Sequence, residues 1–220
     1  MDIFDPVLAR KISVCGNIAV VTLDDPQLAV PLAQALLDGG VDVMELTLRT
    51  KSALDSLSQI VKNMPGMTVG AGTVLTVGQL LAVRDIGAAF AVAPGFNPRI
   101  VQAAKDMRLP FAPGVMTPSE IEGAVEMGCK LLKFFPASVV GGFKAMKTLV
   151  APYAHLGLQY IPLGGITPET TAEYLASPLI AACGGSWIAP NELIAAKNWA
   201  AITANARQAS DIAAAARAAK

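Results

Sequence analysis

PFAPGVMTPSEIEGAVEMGCKLLKFFP, residues 110–136, holds two short apolar segments with a helix between them. "PFAPGVM" (110–116) and "KLLKFFP" (130–136) are strand-like in length and composition. In "TPSEIEGAVEMG" Thr117 is the helix N-cap, Pro118 takes the first helical position, and Glu120 stands three residues on. That is a capping box: the threonine and glutamate side chains each satisfy a backbone N–H of the first turn. Two strands joined through a helical crossover lie parallel.

The same unit recurs along the chain. Further strand candidates are "IAVVTL" (18–23), "DVMELTLR" (42–49), "TVGAGTV" (68–74), "FAVAPG" (90–95), "LQYIPLG" (158–164) and "IAACGGSW" (180–187). "DPQLAVPLAQALLDGG" offers Asp25 as cap, Pro26 at the first helical position and Gly39-Gly40 at its end. "TPETTAEYLAS" repeats the scheme with Thr167, Pro168 and Thr170, without the box glutamate. Eight strand–helix cycles predict an α/β fold, the TIM (β/α)8 barrel, with an extra N-terminal helix over "FDPVLARKI". An open doubly wound sheet is the alternative, and the absence of GxGxxG after the first strand weakens its dinucleotide form. No linker or composition break appears, so residues 1–220 are expected to form one domain.

Hydrophobic residues make up 53% of the chain and charged residues 15%, a balance for much buried strand. Lys+Arg and Asp+Glu are equal at 17 each, so no basic surplus suggests a nucleic acid or an acidic membrane as partner. Cys15, Cys129 and Cys183 are far apart and His155 is the single histidine, which argues against a disulfide scaffold and a metal site. Free thiols and a start that carries Asp2 and Asp5 rather than a signal peptide point to the cytoplasm. No uninterrupted apolar run is long enough to span a bilayer. The alanine-rich "SDIAAAARAAK" reads as a terminal helix, His155 as a surface or loop residue, Trp187 as packing and Trp199 as helix core.

Strands buried on both faces should be free of charge. Two break the rule. In "VMELTLR", Met44, Leu46 and Leu48 share one face, while Glu45, Thr47 and Arg49 share the other and point into the lumen. The other exception is Lys133. A buried ion network without chemistry is one explanation; an active site at the C-terminal mouth is the other. Apolar neighbours and a nearby Arg49 would disfavour the ammonium form of Lys133, and a neutral amine attacks a carbonyl to form a Schiff base. Glu45 could move the protons, and Arg49 offers a fork for a carboxylate. The set suits a 2-oxo acid. "PLGGITPE" places Gly164-Gly165, and "CGGSW" places Gly184-Gly185-Ser186, after the last two strands. Barrel enzymes commonly build phosphate sites from these loops.

In order along the chain, "GGVDVMELTLRT", "VGAGTVL", "PGVMTPSE", "LLKFFPA" and "GGI...GGSW" make it resemble the KDPG/KHG aldolases (2-dehydro-3-deoxy-phosphogluconate and 4-hydroxy-2-oxoglutarate aldolases). The resemblance implies a metal-free class I lyase without a cofactor, assembled as a homotrimer, with a small 2-oxo acid as substrate. It assigns Lys133 as the Schiff-base lysine and Glu45 as the general acid/base. It gives Arg49 and Thr73 as carboxylate contacts, and Gly164, Gly165, Gly184, Gly185 and Ser186 as phosphate contacts. Phe135 and Pro94 would line the site. The implied reaction is reversible cleavage to pyruvate and glyceraldehyde 3-phosphate, or to pyruvate and glyoxylate. Two departures stand out: Leu163 where family members commonly have threonine, and Thr22 where some carry a basic residue. Leu163 cannot hydrogen-bond a substrate hydroxyl, which gives weight to the C4-epimeric (galactonate-derived) substrate or another hydroxy-2-oxo acid. An isomerase or synthase of phosphorylated molecules, and an anion-binding barrel without turnover, are the competing functions.

Overall fold

The computed structural model describes residues 3–218; Asp2 of the acidic start and the last two residues of the alanine-rich end lie outside the described residues. The strands are β1 Asn17–Val21, β2 Val43–Thr47, β3 Thr68–Gly72, β4 Phe90–Val92, β5 Phe111–Ala112, β6 Gly114–Val115, β7 Leu131–Phe134, β8 Gln159–Pro162 and β9 Cys183–Gly185. The helices are α1 Pro6–Cys15, α2 Ala29–Asp38, α3 Ala53–Asn63, α4 Val77–Ile86, α5 Pro98–Asp106, α6 Pro118–Glu126, α7 Gly142–Val150, α8 Pro168–Leu175, α9 Asn191–Ala195 and α10 Trp199–Ala218. Strands and helices alternate, and every strand pairing is parallel. The ladders run β5-β4-β3-β2-β1-β9 and β6-β7-β8. This is an α/β fold on a curled parallel sheet.

The predicted fifth strand is split. Pro113 has no N–H to give the ladder, so β5 pairs with β4 while β6 pairs with β7. Its carbonyl still accepts from Lys133 N at 2.9 Å, which carries the register across the break. On the far side, Tyr160 N donates to Leu179 O at 2.8 Å and Ala181 N to Tyr160 O at 2.9 Å, linking β8 to the segment that leads into β9.

Alternation along the strands builds two cores. Met44, Leu46, Leu132, Phe134 and Tyr160 join the layer between sheet and helices. Ile18, Val43, Phe90, Val92, Leu131, Ile161 and Leu163 form a separate inner cluster. Glu45 and Lys133 have the inner parity, two residues beyond Val43 and Leu131, as the period of two requires. The extra helix is present as α1, with Asp5 accepting from Val7 N at 2.8 Å. It brings Phe4 into the inner cluster against Phe90, ring centroids 6.2 Å apart.

The capping expectations hold with two refinements. The box at α6 forms through Thr117 and Glu120. At α8 the missing glutamate is replaced: Thr167 N donates to Thr170 Oγ1 at 3.0 Å, so a threonine completes the box. The segment capped by Asp25 starts as a 3-10 turn, Pro26–Leu28, before α2 begins. Pro31 lacks the N–H an α-helix there would donate to Gln27. Trp199 is the first, half-buried residue of α10 rather than its core, and His155 is exposed. Among the described residues no disulfide is formed. Burial pushes the Cys15 thiol up to about 11 and the Cys183 thiol further in the same direction, which disfavours the thiolate in both. Among the described residues no helix is long and apolar enough to cross a membrane.

Candidate active site

Burial falls along the inward face of β2 towards its C-terminal end: Glu45 is 2% exposed, Thr47 3%, and Arg49, in the following turn, is exposed. Lys133 on β7 is 5% exposed. Its Nζ donates to Glu45 Oε1 at 2.9 Å and Oε2 at 3.2 Å. Among the described residues one other ion pair exists, the exposed Arg84–Asp85. The carboxylate needs space, and β3 gives it by carrying Gly72 on the same inward face. A Cβ on Gly72 would overlap Glu45 Oε1. The Phe135 ring lies 5.6 Å from Lys133 Nζ, a cation–π distance that also walls off solvent.

Thr73 leaves β3 with φ 59°, a left-handed conformation that a β-branched residue avoids unless its surroundings impose it. Gly114 lies against the Pro94 carbonyl so closely that no side chain would fit, which fixes Pro94 at the rim. Beyond β8, Gly164 (φ 89°) and Gly165 (φ 77°) turn the chain towards α8 in the left-handed region, where glycine is unstrained. Ser138 N holds the turn by donating to Gly164 O at 2.9 Å. Leu163 packs on Gly184, and the Trp187 indole packs on Gly185.

Glu45, Arg49, Thr73, Pro94, Lys133, Phe135, Leu163, Gly164, Gly165, Gly184, Gly185 and Ser186 all line one cavity of about 240 Å³. Every site residue expected from the sequence is therefore brought together. Val20, Thr47 and Ile166 complete the wall. A larger, open groove of about 570 Å³ runs between α1 and α10, with none of these residues on it. Among the described residues no group of acidic, histidine or cysteine side chains could hold a metal ion.

Within the cavity a carboxylate meets the amine, and threonines meet the guanidinium. Arg49 Nη2 donates to Thr22 Oγ1 at 2.7 Å and Nε to Thr47 Oγ1 at 3.1 Å, while the two hydroxyls lie 2.8 Å apart. Thr47 was legible as an inward residue from the period of two. Thr22 was visible only as the place where a basic residue is missing, and no local pattern announces its partner 27 residues away.

A lysine amine and a carboxylate, buried together on parallel strands of an α/β fold, are the equipment of an enzyme that works through a covalent imine. The amine's proton has an acceptor within hydrogen-bond distance, and the rest of the cavity offers a guanidinium and glycine-rich backbone to anions. Residues 9–205 match KDPG and KHG aldolase. The 2-dehydro-3-deoxy-phosphogluconate aldolase of Haemophilus influenzae is 43% identical over 205 residues, 93% of this chain and 96% of that protein. The 2-keto-3-deoxy-6-phosphogluconate aldolase of Zymomonas mobilis, solved with 3-phosphoglycerate, superposes with a TM-score of 0.86 at 34% identity, covering 92% of this chain and 94% of its own. The KDPG aldolase of Legionella pneumophila, solved with pyruvate as a covalent carbinolamine intermediate, gives the same TM-score at 36% identity, covering 90% and 96%. The chain belongs to the KDPG and KHG aldolase family.

Proposed function

We propose that this protein is a class I aldolase that reversibly cleaves 2-dehydro-3-deoxy-6-phosphogluconate to pyruvate and glyceraldehyde 3-phosphate. The observation that carries the proposal is the buried Lys133–Glu45 pair, with Nζ 2.9 Å from Oε1, in the cavity that holds Arg49 and the glycine turns. Lys133 gives a proton to Glu45 and attacks C2 of the 2-oxo acid. Glu45, through a water, returns a proton to the carbinolamine oxygen, and water leaves as the protonated imine forms. The carboxylate then takes the proton of the C4 hydroxyl. The C3–C4 electrons pass to the imine nitrogen, the aldehyde departs, and a pyruvate enamine remains. Protonation at C3 and attack of water at C2 release pyruvate and the free amine. Atoms and electrons balance without a cofactor, because the iminium is the electron sink. Arg49 and Thr73 take the substrate carboxylate, while Gly164, Gly165, Gly184, Gly185 and Ser186 take the phosphate. Phe135 and Pro94 close the sides.

The same proposal includes a closed (β/α)8 barrel as a single domain over 1–220, a homotrimeric assembly and a cytoplasmic location. The parallel ladders on both sides of Pro113 and the Tyr160–Ile180 bridge support closure. Three cysteines without a disulfide, two of them buried, support a reducing compartment. Incubation with pyruvate followed by borohydride should leave a reduced pyruvyl adduct on the peptide that carries Lys133, read by mass spectrometry. An unmodified protein, under conditions that trap a known class I aldolase, would refute the mechanism.

Leu163 favours a second substrate assignment within the same chemistry: the C4 epimer, or 4-hydroxy-2-oxoglutarate with glyoxylate as product. It is 3% exposed and presents only methyl groups to the cavity, so one hydroxyl of the substrate lacks a partner there. Leu163→Thr should change the ratio of cleavage rates for the two C4 epimers by roughly tenfold or more, because a hydrogen bond is offered to one of them. Equal ratios in the native and variant proteins would remove Leu163 from the account of specificity.

A further inference from the structure

We infer that Thr22 is a positioning residue for substrate recognition: together with Thr47 it fixes the Arg49 guanidinium so that its outer edge faces the substrate carboxylate. The inference rests on the aldolase proposal above and adds a role that the proposal does not contain.

A guanidinium has five N–H groups, one on Nε and two on each terminal nitrogen. The Nε hydrogen goes to Thr47 Oγ1 at 3.1 Å, and one Nη2 hydrogen goes to Thr22 Oγ1 at 2.7 Å. Both bonds fall on the Nε/Nη2 side of the fork. That leaves the Nη1/Nη2 side, with two parallel donors, for a bidentate contact to a carboxylate. An exposed arginine otherwise samples many rotamers, and ordering it on binding costs affinity. Here the threonines supply the order before the substrate arrives. Thr47 is 3% exposed and is held on β2, so its hydroxyl is a fixed point. Thr22 follows β1 directly, and β1 is in register with β2, so the second point is fixed as well.

The two hydroxyls are coupled at 2.8 Å, and one must donate to the other. Each also accepts from Arg49. Two hydroxyl hydrogens therefore serve one bond between them, and one hydrogen remains. With Thr22 as the donor the remaining hydrogen is on Thr47, which lines the cavity, where an oxygen of the bound acid can accept it.

The test compares the native protein with Thr22→Val, which keeps the shape and removes the hydroxyl, and with Thr22→Ser, which restores it. The readout is the pyruvate concentration that half-saturates borohydride trapping, alongside the same quantity for pyruvamide, which lacks the negative charge. Thr22→Val should raise the half-saturating pyruvate concentration about tenfold, the loss expected for one hydrogen bond to a charged group. It should leave the value for pyruvamide within twofold and the rate at saturation largely intact. Thr22→Ser should return the preference for the acid. Thr22→Ala, which removes the hydroxyl and one methyl group, should repeat the loss and serves if Thr22→Val does not fold. If Thr22→Val raises both half-saturating concentrations in parallel, or neither, the positioning role is overturned while the aldolase proposal stands. If the native protein traps no pyruvate, it is the aldolase proposal that falls.

Discussion

Lys133→Met should abolish both cleavage and the pyruvate adduct, and it should also lower the stability of the fold by about 3–5 kcal/mol, the cost of removing one partner from a buried ion pair. The second effect follows from geometry, not from catalysis. Glu45 is 2% exposed, and Lys133 Nζ donates to both of its carboxylate oxygens, at 2.9 and 3.2 Å. Without the ammonium the carboxylate must take up a proton or draw water into the inner core, and either costs free energy. The double variant Lys133→Met/Glu45→Met should regain most of the lost stability, since two flexible apolar side chains fill the space of the pair. Urea unfolding of the three proteins reads the stability, and a coupled assay for pyruvate reads the turnover. Residual cleavage at a native rate in Lys133→Met would end the case for this lysine as the nucleophile. A single variant as stable as the native protein would show instead that the pair contributes nothing to the fold.

The parts of this molecule that were legible in the sequence are those that short-range rules determine. Alternation placed Glu45 on the inner face, because a period of two leaves one choice once Met44, Leu46 and Leu48 are assigned to the helix layer, and Lys133 stood out as a charge inside an apolar strand. Capping chemistry located the starts of α6 and α8, because Thr117 and Thr167 act on backbone within the same turn. The resemblance supplied Thr73, Pro94 and Phe135, which alternation alone could not have singled out. What the sequence did not disclose depends on contacts between distant strands. The partner of Lys133 is 88 residues away, and the partner of Arg49 on β1 is 27 residues away. Charge arithmetic says that a lysine, a glutamate and an arginine in one lumen must be compensated, but not which meets which. The split at Pro113 was visible as a proline inside a strand, yet its consequence, a change of ladder from β4 to β7, belongs to the sheet as a whole.

Gly72→Ala should cost turnover about a hundredfold and stability about 1–3 kcal/mol, although it adds a single methyl group and touches no substrate. Gly72 lies on β3 opposite Thr47, with Gly70 opposite Glu45. The glutamate leans along its strand, so its carboxylate occupies the volume that a side chain at position 72 would need. An alanine there must push Oε1 aside, which lengthens the 2.9 Å contact to Lys133 Nζ and misaligns the group that moves the protons. Gly70→Ala is the informative comparison. It points into the same core two residues earlier, and its methyl group would strike the Phe90 ring instead of Glu45. It should lose a similar amount of stability and keep its turnover number. Gly72→Ala combined with Glu45→Asp, which withdraws the carboxylate by one methylene, should recover stability without recovering turnover, because the shorter side chain clears the methyl group but no longer reaches the amine. Should Gly72→Ala and Gly70→Ala prove equally active, the glycine would be a packing residue only. The contrast isolates what strand β3 contributes to catalysis: an absent side chain, at the point where the neighbouring strand needs room for its carboxylate.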